Sequence, residues 1–276
     1  MTTPYPPQGA TGASYSSPIP IRKATLGDAL ASEWTKIRSV RSTMWTLGAM
    51  AILLVGLSTI IAFFVGESDP ELGEESVLGL AVFGVLMSSL CVITLGVLTI
   101  TSEYGTGMIR TTLTACPSRA RVLAAKAIVF FLVVFTVTFV LTLVVSALAV
   151  ALVDQAPAPS GGDWARATLG ISLYLAFLGL ISLAMGTMIR HSAGAITAML
   201  GTVLVPLVAA MFMSARSLED LQRWLLEYSI PNQLAMIYDV TAGRSGPQGW
   251  ESVGIVAVLA ALALGGAYAV LEKRDV

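Results

Sequence analysis

Apolar and polar residues follow one another along this chain in long blocks, so that six extended apolar runs are separated by shorter polar segments. The apolar runs cover residues 43–65, 77–101, 122–152, 167–189, 193–213 and 250–271. As an α-helix, at about 1.5 Å per residue, each run is long enough to cross roughly 30 Å of hydrocarbon. Segments of about ten residues with strand-like alternation do not recur, which disfavours a membrane β-barrel. The pattern predicts an all-α, polytopic membrane protein with six transmembrane helices.

The composition agrees with a membrane environment. Of the 276 residues, 55% are apolar and only 12% are charged, and the mean hydropathy is +0.80. A soluble core of this size could not bury so many apolar side chains. Residues 1–22 differ, because they are rich in Pro, Ser, Thr, Tyr and Gly and contain no continuous apolar stretch. They predict a disordered tail ahead of one membrane domain over residues 23–276.

The distribution of lysine and arginine predicts the orientation, because segments on the cytoplasmic side of a membrane retain positive charge. With the N-terminus inside, the inner segments carry twelve of the 16 basic residues: Arg22, Lys23, Lys36, Arg38, Arg41, Arg110, Arg119, Arg121, Lys126, Arg190, Lys273 and Arg274. The outer segments carry the other four, Arg166, Arg216, Arg223 and Arg244. The first outer loop holds Glu67, Asp69, Glu71, Glu74 and Glu75 and no basic residue. We therefore expect a plasma-membrane protein with both termini in the cytoplasm.

A helix that precedes the first span is predicted between Ala24 and Arg41. Its apolar positions recur at helical spacing at Leu26, Leu30, Trp34 and Ile37, Arg38 and Arg41 flank this face, and Lys36 lies further round the helix. Such a helix lies along the inner leaflet, with its basic side chains toward anionic headgroups and its tryptophan at the interface.

Glu33 interrupts the apolar face of this predicted helix. A lone carboxylate in an acyl environment would be costly, so the residue needs a partner. One interpretation is an ion pair with a lysine or arginine of the same chain that anchors the helix. The other is a contact that transmits movement between parts of the protein.

The segment from Ser102 to Lys126 is too polar to cross the membrane. Gly105 and Gly107 permit a sharp change of direction after the second span. Residues 108–115 are predicted to form about two helical turns, which Pro117 ends. Lys126 is close enough to the membrane surface for its ammonium group to extend toward water. A short rigid helix is therefore expected on the cytoplasmic side.

The chain lacks the residues that nucleotide hydrolysis or metal chemistry requires. Its four lysines are followed by Ala24, Ile37, Ala127 and Arg274, so no glycine-rich loop ends in Lys-Ser or Lys-Thr. His191 is the only histidine, and it has no partner in sequence that would suggest a metal site or a catalytic nucleophile. We expect no enzyme active site, no metal and no cofactor in this chain, and no nucleic acid as a partner.

Two stretches carry a family resemblance. The first is Glu33-Trp34-Thr35-Lys36-Ile37-Arg38-Ser39-Val40-Arg41-Ser42-Thr43, and the second is Glu103-Tyr104-Gly105-Thr106-Gly107-Met108-Ile109-Arg110 followed by Pro117-Ser118-Arg119 and Lys126. They resemble the elbow helix and the loop between spans two and three in the permease subunits of type-2 ABC exporters, in particular the small six-span permeases of high-GC Gram-positive bacteria. In that family the loop contains a coupling helix that docks into a cleft on the ATP-binding subunit.

The resemblance implies roles for particular residues. Those implied at or near the docking contact are Glu103, Tyr104, Gly105, Thr106, Gly107, Arg110, Pro117 and Arg119, and those of the elbow helix are Glu33, Trp34, Lys36, Arg38 and Arg41. The partners implied are an ATP-binding subunit that holds ATP and Mg²⁺, and a second permease copy or a paralogue. A solvated basic loop without a partner is the alternative for residues 102–121.

Two further features bear on a transport route. Residues 214–249 contain Leu218, Leu221, Leu225 and Tyr228 at helical spacing, which predicts an outer amphipathic helix that either seals the outer mouth or gates substrate. Thr138, Thr142 and Ser146 recur every four residues in the third span. These hydroxyls either bond to carbonyls of their own helix or line a pathway.

The sequence thus predicts the membrane-spanning permease of an ATP-driven exporter for an amphipathic cargo such as a drug, a peptide or a lipid-like molecule. A buried carboxylate that could bind a coupling ion is missing from the centres of the six spans, which favours an energy source outside the chain. The alternatives are an ATP-independent carrier and a nontransporting membrane scaffold or immunity component.

Overall fold

A computed structural model describes residues 24–68, 76–153, 157–213, 218–240 and 246–273 of the chain. Several sequence predictions concern residues outside these ranges. They are the disordered tail over residues 1–22, the basic residues Arg22, Lys23, Arg216, Arg244 and Arg274, and the acidic residues Asp69, Glu71, Glu74 and Glu75.

The described ranges form ten helices and no strands, which confirms the predicted all-α fold. In chain order the helices are α1 (Leu26–Ser39), α2 (Arg41–Glu67), α3 (Val77–Gly105), α4 (Met108–Ala115), α5 (Arg119–Leu152), α6 (Gly161–Ile189), α7 (Ser192–Phe212), α8 (Glu219–Glu227), α9 (Ile230–Ile237) and α10 (Trp250–Lys273). Six of them, α2, α3, α5, α6, α7 and α10, are long and apolar enough to cross a membrane. The chain is therefore a multi-pass membrane protein, with the six predicted spans in their predicted places.

Local signals in the sequence account for several helix starts. The Thr25 side chain and Asp28 form a reciprocal capping box at the start of α1, which satisfies backbone N–H groups that have no partner within the helix. The Ser118 hydroxyl caps α5. His191 caps α7, because its Nδ1 accepts a hydrogen bond from the Gly194 N–H at 3.1 Å. The single histidine of the chain therefore has a structural role.

The bundle is centred on α6. In the most apolar 18-residue segment of α6, 72% of the residues are buried, against 22% in the corresponding segments of α2, α7 and α10. Glycines allow α6 and α3 to approach closely: a Cβ atom on Gly96 would lie only 2.5 Å from the carbonyl oxygen of Gly179. A larger residue at position 96 would therefore push the two helices apart.

The two ends of the bundle differ in what covers them. At one end, called here the elbow end, α1 and α4 lie beside the ends of α3 and α5. At the other, the far end, α8 and α9 connect α7 to α10. The sequence predicts α8 correctly but misses α9, which begins after the Ser229 cap and has Pro231 in its first turn.

Helix α9 is the buried part of the far end. Its residues 232–237 are all buried, and the Tyr174 hydroxyl of α6 donates to Gln233 Oε1 at 3.4 Å. By contrast, α8 has no buried residue and is tied to α7 by a hydrogen bond of 2.8 Å from Gln222 Nε2 to the Ala210 carbonyl. The far end is thus closed by α9, while the amphipathic α8 lies outside it.

Candidate functional site

Four charged side chains meet inside the elbow end and form what we call the ion cluster: Glu33, Lys36, Glu103 and Lys126. Lys126 Nζ lies 2.5 Å from Glu33 Oε2 and 2.8 Å from Glu103 Oε1. Lys36 Nζ lies 2.7 Å from Glu33 Oε1 and 2.8 Å from the same Glu103 Oε1. Each lysine therefore bridges the two carboxylates.

Each member reaches the cluster from a different part of the fold. Glu33 and Lys36 are one turn apart on α1, Glu103 lies in the last turn of α3, and Lys126 lies eight residues into α5. Lys36 Nζ also donates to Thr112 Oγ1 of α4 at 3.3 Å. The cluster and this hydrogen bond join four helices at one point.

The charges of the cluster are balanced, and three of the four side chains are buried, while Lys36 is partly exposed. Exposure is 3% for Glu33, 5% for Glu103 and 1% for Lys126. Two ammonium groups and two carboxylates sum to zero, and mutual pairing is what makes their burial tolerable. Outside the spans, burial lowers the pKa of Lys36, but its hydrogen bonds to Glu103 and Glu33 prevail and raise it above the ordinary value. Lys36 is therefore charged at physiological pH.

One oxygen of the cluster remains without a partner. Glu103 Oε1 accepts from both lysines, whereas Glu103 Oε2 is buried and has no hydrogen-bond partner in the structure. A buried carboxylate oxygen without a donor raises the free energy of the folded state. Glu103 is therefore held in the cluster through one of its two carboxylate oxygens.

The cluster confirms one prediction and corrects two others. The ion pair expected for Glu33 is present, with Lys126 and Lys36 as its partners. Lys126 does not extend toward water, and Glu103 does not lie on an exposed docking surface, because both side chains are buried in the cluster. The sequence signal for the contact was a lone carboxylate on an apolar face together with a lone lysine in an apolar run.

The arginines that follow Pro117 also bind within the chain. Arg119, which the sequence placed near the docking contact, donates from Nη1 to the Leu271 carbonyl at 2.5 Å. It thereby caps the C-terminal end of α10, where a cation is favoured. Arg121 donates from Nη1 to the Ala24 carbonyl, just ahead of α1, at 2.6 Å. Arg119 therefore caps a helix in this structure, and its role near the docking contact stays a prediction.

Tyr104 links the end of α3 to the loop between α6 and α7. The guanidinium carbon of Arg190 lies 5.1 Å from the centre of the Tyr104 ring, within cation–π range. Arg190 has a φ of 58° and ends α6. Tyr104 is therefore the third of the residues predicted for docking, after Glu103 and Arg119, that makes an internal contact.

Only part of the predicted docking segment remains exposed. The exposed residues at and after the start of α4 form what we call the α4 face: Met108, Arg110, Thr111, Thr114 and Pro117. Gly107, with a φ of 72°, makes the sharp turn before α4 that the sequence predicts. Ile109 is the one buried residue of this short helix, while Gly105 and Thr106 are exposed at the turn. The α4 face combines apolar, hydroxyl and positive groups on a helix held by its opposite side.

The elbow helix α1 turns its predicted apolar face only partly toward the protein. Glu33 and Ile37 are its buried residues, whereas Trp34 is 52% exposed. Arg38 and Arg41 are exposed beside Trp45 at the start of α2. These exposed groups have the chemistry of a helix at a membrane surface.

The three hydroxyls of the predicted pathway are packed inside the bundle. Thr138, Thr142 and Ser146 are each at most 1% exposed. Thr138 donates to the Val134 carbonyl at 2.7 Å, and Thr142 lies 3.5 Å from the Ser172 hydroxyl of α6. The packing favours bonding within the bundle, and a pathway role stays a prediction.

In the described ranges, no group of three or more His, Cys, Asp and Glu side chains could hold a metal ion. The model of a family described as a protein of unknown function, DUF2705, matches residues 46–276. The matched range contains α3, α4 and α5, and therefore Glu103 and Lys126. It begins after α1, so Glu33 and Lys36 lie outside it. No curated protein matches the chain.

Proposed function

The chain belongs to the DUF2705 family, and we propose that it is the membrane-spanning permease subunit of an ATP-binding cassette exporter. ATP is hydrolysed by a separate chain that docks on the α4 face. One observation carries this proposal: a short helix is exposed on one side and joined on its other side, through the ion cluster, to three longer helices. A movement of a bound partner could therefore be transmitted through this helix to the membrane-spanning helices.

The charge distribution supports an orientation with the elbow end in the cytoplasm. Among the described residues the elbow end carries nine basic side chains: Lys36, Arg38, Arg41, Arg110, Arg119, Arg121, Lys126, Arg190 and Lys273. The far end carries two, Arg166 and Arg223. Because basic residues concentrate on the cytoplasmic side of a membrane, the α4 face points to the compartment that contains ATP.

The contacts behind the α4 face could transmit a displacement of α4 to the longer helices. A displacement of α4 acts on Lys36 through Thr112 and on α3 through the chain itself. Lys36 is held by both glutamates, so α1, α3 and α5 are pulled together rather than one at a time. A buried charge cluster resists separation because each broken pair would leave an uncompensated charge.

The energy source is expected outside the chain. In the described parts of the six spans, the Asp, Glu, Lys and Arg side chains lie toward the helix ends, and Glu103 is already paired with two lysines. A carrier driven by protons or sodium ions needs an ionisable group that binds the coupling ion near its transport route. This distribution favours coupling to ATP hydrolysis over ion coupling.

The transport route is expected between two copies of the chain, or between this chain and a paralogue. The hydroxyl residues Thr138, Thr142 and Ser146 of α5 are buried within the bundle, so they do not line an open route inside one copy of the chain. Meanwhile α2, α7 and α10 leave most of their apolar residues uncovered. A route between two units suits an amphipathic drug, peptide or lipid-like cargo that moves out of the cytoplasmic side.

Affinity purification tests the proposal. The tagged protein is extracted mildly from native membranes, and copurifying chains are identified by mass spectrometry. We expect an ATP-binding cassette subunit with the unaltered protein and its loss from an Arg110→Glu, Thr114→Glu double variant, which changes two exposed residues one turn apart on α4. The matched control is Arg223→Glu, an exposed arginine at the far end, which should retain the subunit.

The double variant must first reach the membrane at the level of the unaltered protein. If the unaltered protein captures no ATP-binding chain, the proposal fails. Cargo flux through vesicles that contain this chain alone would then identify a carrier, and capture of other membrane proteins without flux would identify a scaffold.

A further inference from the structure

A partly open cavity of about 230 Å³ lies beside the ion cluster, between α1, the start of α2 and the end of α3. Its wall includes apolar side chains of α1 and α3, namely Ile37, Leu95 and Leu98, whereas α2 contributes the hydroxyl residues Ser42, Thr43 and Thr46. Val40 and Met108, which are 43% and 44% exposed, also line it. The cavity thus has an apolar wall and exposed apolar residues at its edge.

The polar part of the wall includes the four side chains of the ion cluster and several hydroxyl groups. The hydroxyls of Thr46, Thr99 and Thr106 donate their protons to carbonyls of their own helices, at 2.9, 2.7 and 2.8 Å. A hydroxyl that has given its one proton can still accept. Lys36 and Lys126 also line the wall, but their ammonium groups already donate to Glu33, Glu103 and Thr112. The hydroxyl acceptors therefore favour a ligand that donates hydrogen bonds.

The charge balance of the ion cluster selects among such donors. Glu103 is already matched by Lys36 and Lys126, which lie within 2.8 Å of it. An ammonium ligand would add a third positive charge next to two others in a poorly solvated place, which is unfavourable. A hydroxyl donates a hydrogen bond without adding charge.

We propose that this cavity, the elbow pocket, binds the hydroxyl headgroup of an uncharged amphiphile of the glycerol-lipid kind. The volume is below the roughly 300–1,000 Å³ of pockets that enclose drug-sized molecules, so the pocket takes a headgroup and the start of a chain. The rest of the hydrocarbon leaves along Val40, at the junction of α1 and α2, into lipid. This site does not depend on an ATPase partner, because every group that forms it belongs to this chain.

Photolabelling of the purified full chain tests the pocket. The protein is placed in phosphatidylcholine nanodiscs, because that headgroup has no hydrogen-bond donor. The probe is a monoacylglycerol with a photoreactive diazirine in the first part of its acyl chain, and labelled residues are mapped by mass spectrometry. We expect saturable labelling within residues 37–46 and 95–108. Monooleoylglycerol should compete with the probe, whereas methyl oleate and oleylamine should not.

Matched variants separate the pocket from the lipid-facing surface. Leu98→Trp fills the cavity and should abolish saturable labelling, while Leu132→Trp, at a position 54% exposed on α5, should leave it unchanged. Thr99→Val removes one acceptor and should weaken competition about fivefold, the equivalent of roughly 1 kcal/mol. Thr94→Val is its control, because Thr94 makes the same bond to its own helix at 2.8 Å and does not line the pocket.

Three results would overturn the proposal. The first is labelling that is spread over the spans and does not saturate, as expected for a pocket that holds only water. The second is equal competition by methyl oleate, which would mean that the pocket binds the acyl chain of the probe and not its hydroxyl headgroup. The third is stronger competition by oleylamine, which would mean that the site prefers a cation.

Discussion

At the scale of single residues, the ion cluster concentrates four charges where one alone would be intolerable. Lys126 is the residue with the least freedom, because it is 1% exposed and lies within 2.8 Å of both carboxylates. Removing it leaves Glu33 and Glu103 to share Lys36. Breaking a buried pair is costly mainly because the remaining charge is left uncompensated.

Lys126→Met should therefore lower the free energy of unfolding by about 3–5 kcal/mol, the usual loss when one partner of a buried ion pair is removed. Adding Glu103→Gln restores the balance of charge, so the double variant should be more stable than the sum of the two single losses predicts. Thermal unfolding of the four proteins in the same nanodiscs measures this coupling. Additive losses would show that the side chains act independently and that the cluster is not a unit.

At the scale of the elements, the loop between α3 and α5 divides its basic residues between two tasks. Arg110 remains exposed on α4, whereas Arg119 and Arg121 bind the carbonyls of Leu271 and Ala24. The start of α5 thus holds both the C-terminal end of α10 and the N-terminal end of α1. The elbow end is assembled around this one helix start.

Hydrogen exchange resolves these two contacts. Arg119→Gln should speed exchange of the backbone amides in the last turn of α10, because the charged cap on its carbonyls is weakened. Arg121→Gln is the matched change two residues away, and it should loosen the start of α1 while leaving α10 as it was. Equal exchange in both variants would contradict the assignment of one arginine to each helix.

The elements were largely predictable from sequence and the contacts between them only in part. Residues 108–115 were predicted as a helix and form α4, because Gly107 and Pro117 mark both ends in the sequence. Helix α9 was missed, since a helix of eight residues with a proline in its first turn is too short to show a long apolar period. The bond from Arg119 to Leu271 joins positions 152 residues apart, and no local pattern encodes which carbonyl a distant arginine will find.

Charges in apolar surroundings were the most informative signal of long-range contact. Glu33 stood on an apolar face and therefore required a partner, but the sequence left open which of several basic residues it would be. Lys126 was interpreted as reaching water because a lysine near a helix end usually does so. In the fold α1 packs against α5, and Lys126 therefore pairs with Glu33 of α1 and does not extend to water.

At the scale of the whole molecule, the protein is a central helix surrounded by helices with uncovered apolar faces. Helix α6 is mostly buried, while in α2, α7 and α10 only 22% of the residues in the most apolar segment are buried. The uncovered faces lie against lipid or against another unit. The buried charges, in contrast, are gathered at the elbow end, so the two ends of the bundle differ in charge.

This asymmetry predicts which end faces the cytoplasm, and cysteine labelling in intact cells measures it. In a variant in which Cys91 and Cys116 are replaced by alanine, single cysteines are introduced as Thr114→Cys on α4 and Glu219→Cys on α8, both at exposed positions. A membrane-impermeant maleimide should label the second in intact cells and the first only after permeabilisation, because basic residues retain the elbow end inside. The cysteine-free protein is the control for background labelling. The reverse pattern would place the α4 face outside the cell, out of reach of any cytoplasmic ATPase, and would remove the basis of the permease proposal while leaving the elbow pocket, which is defined by this chain alone, open to its own test.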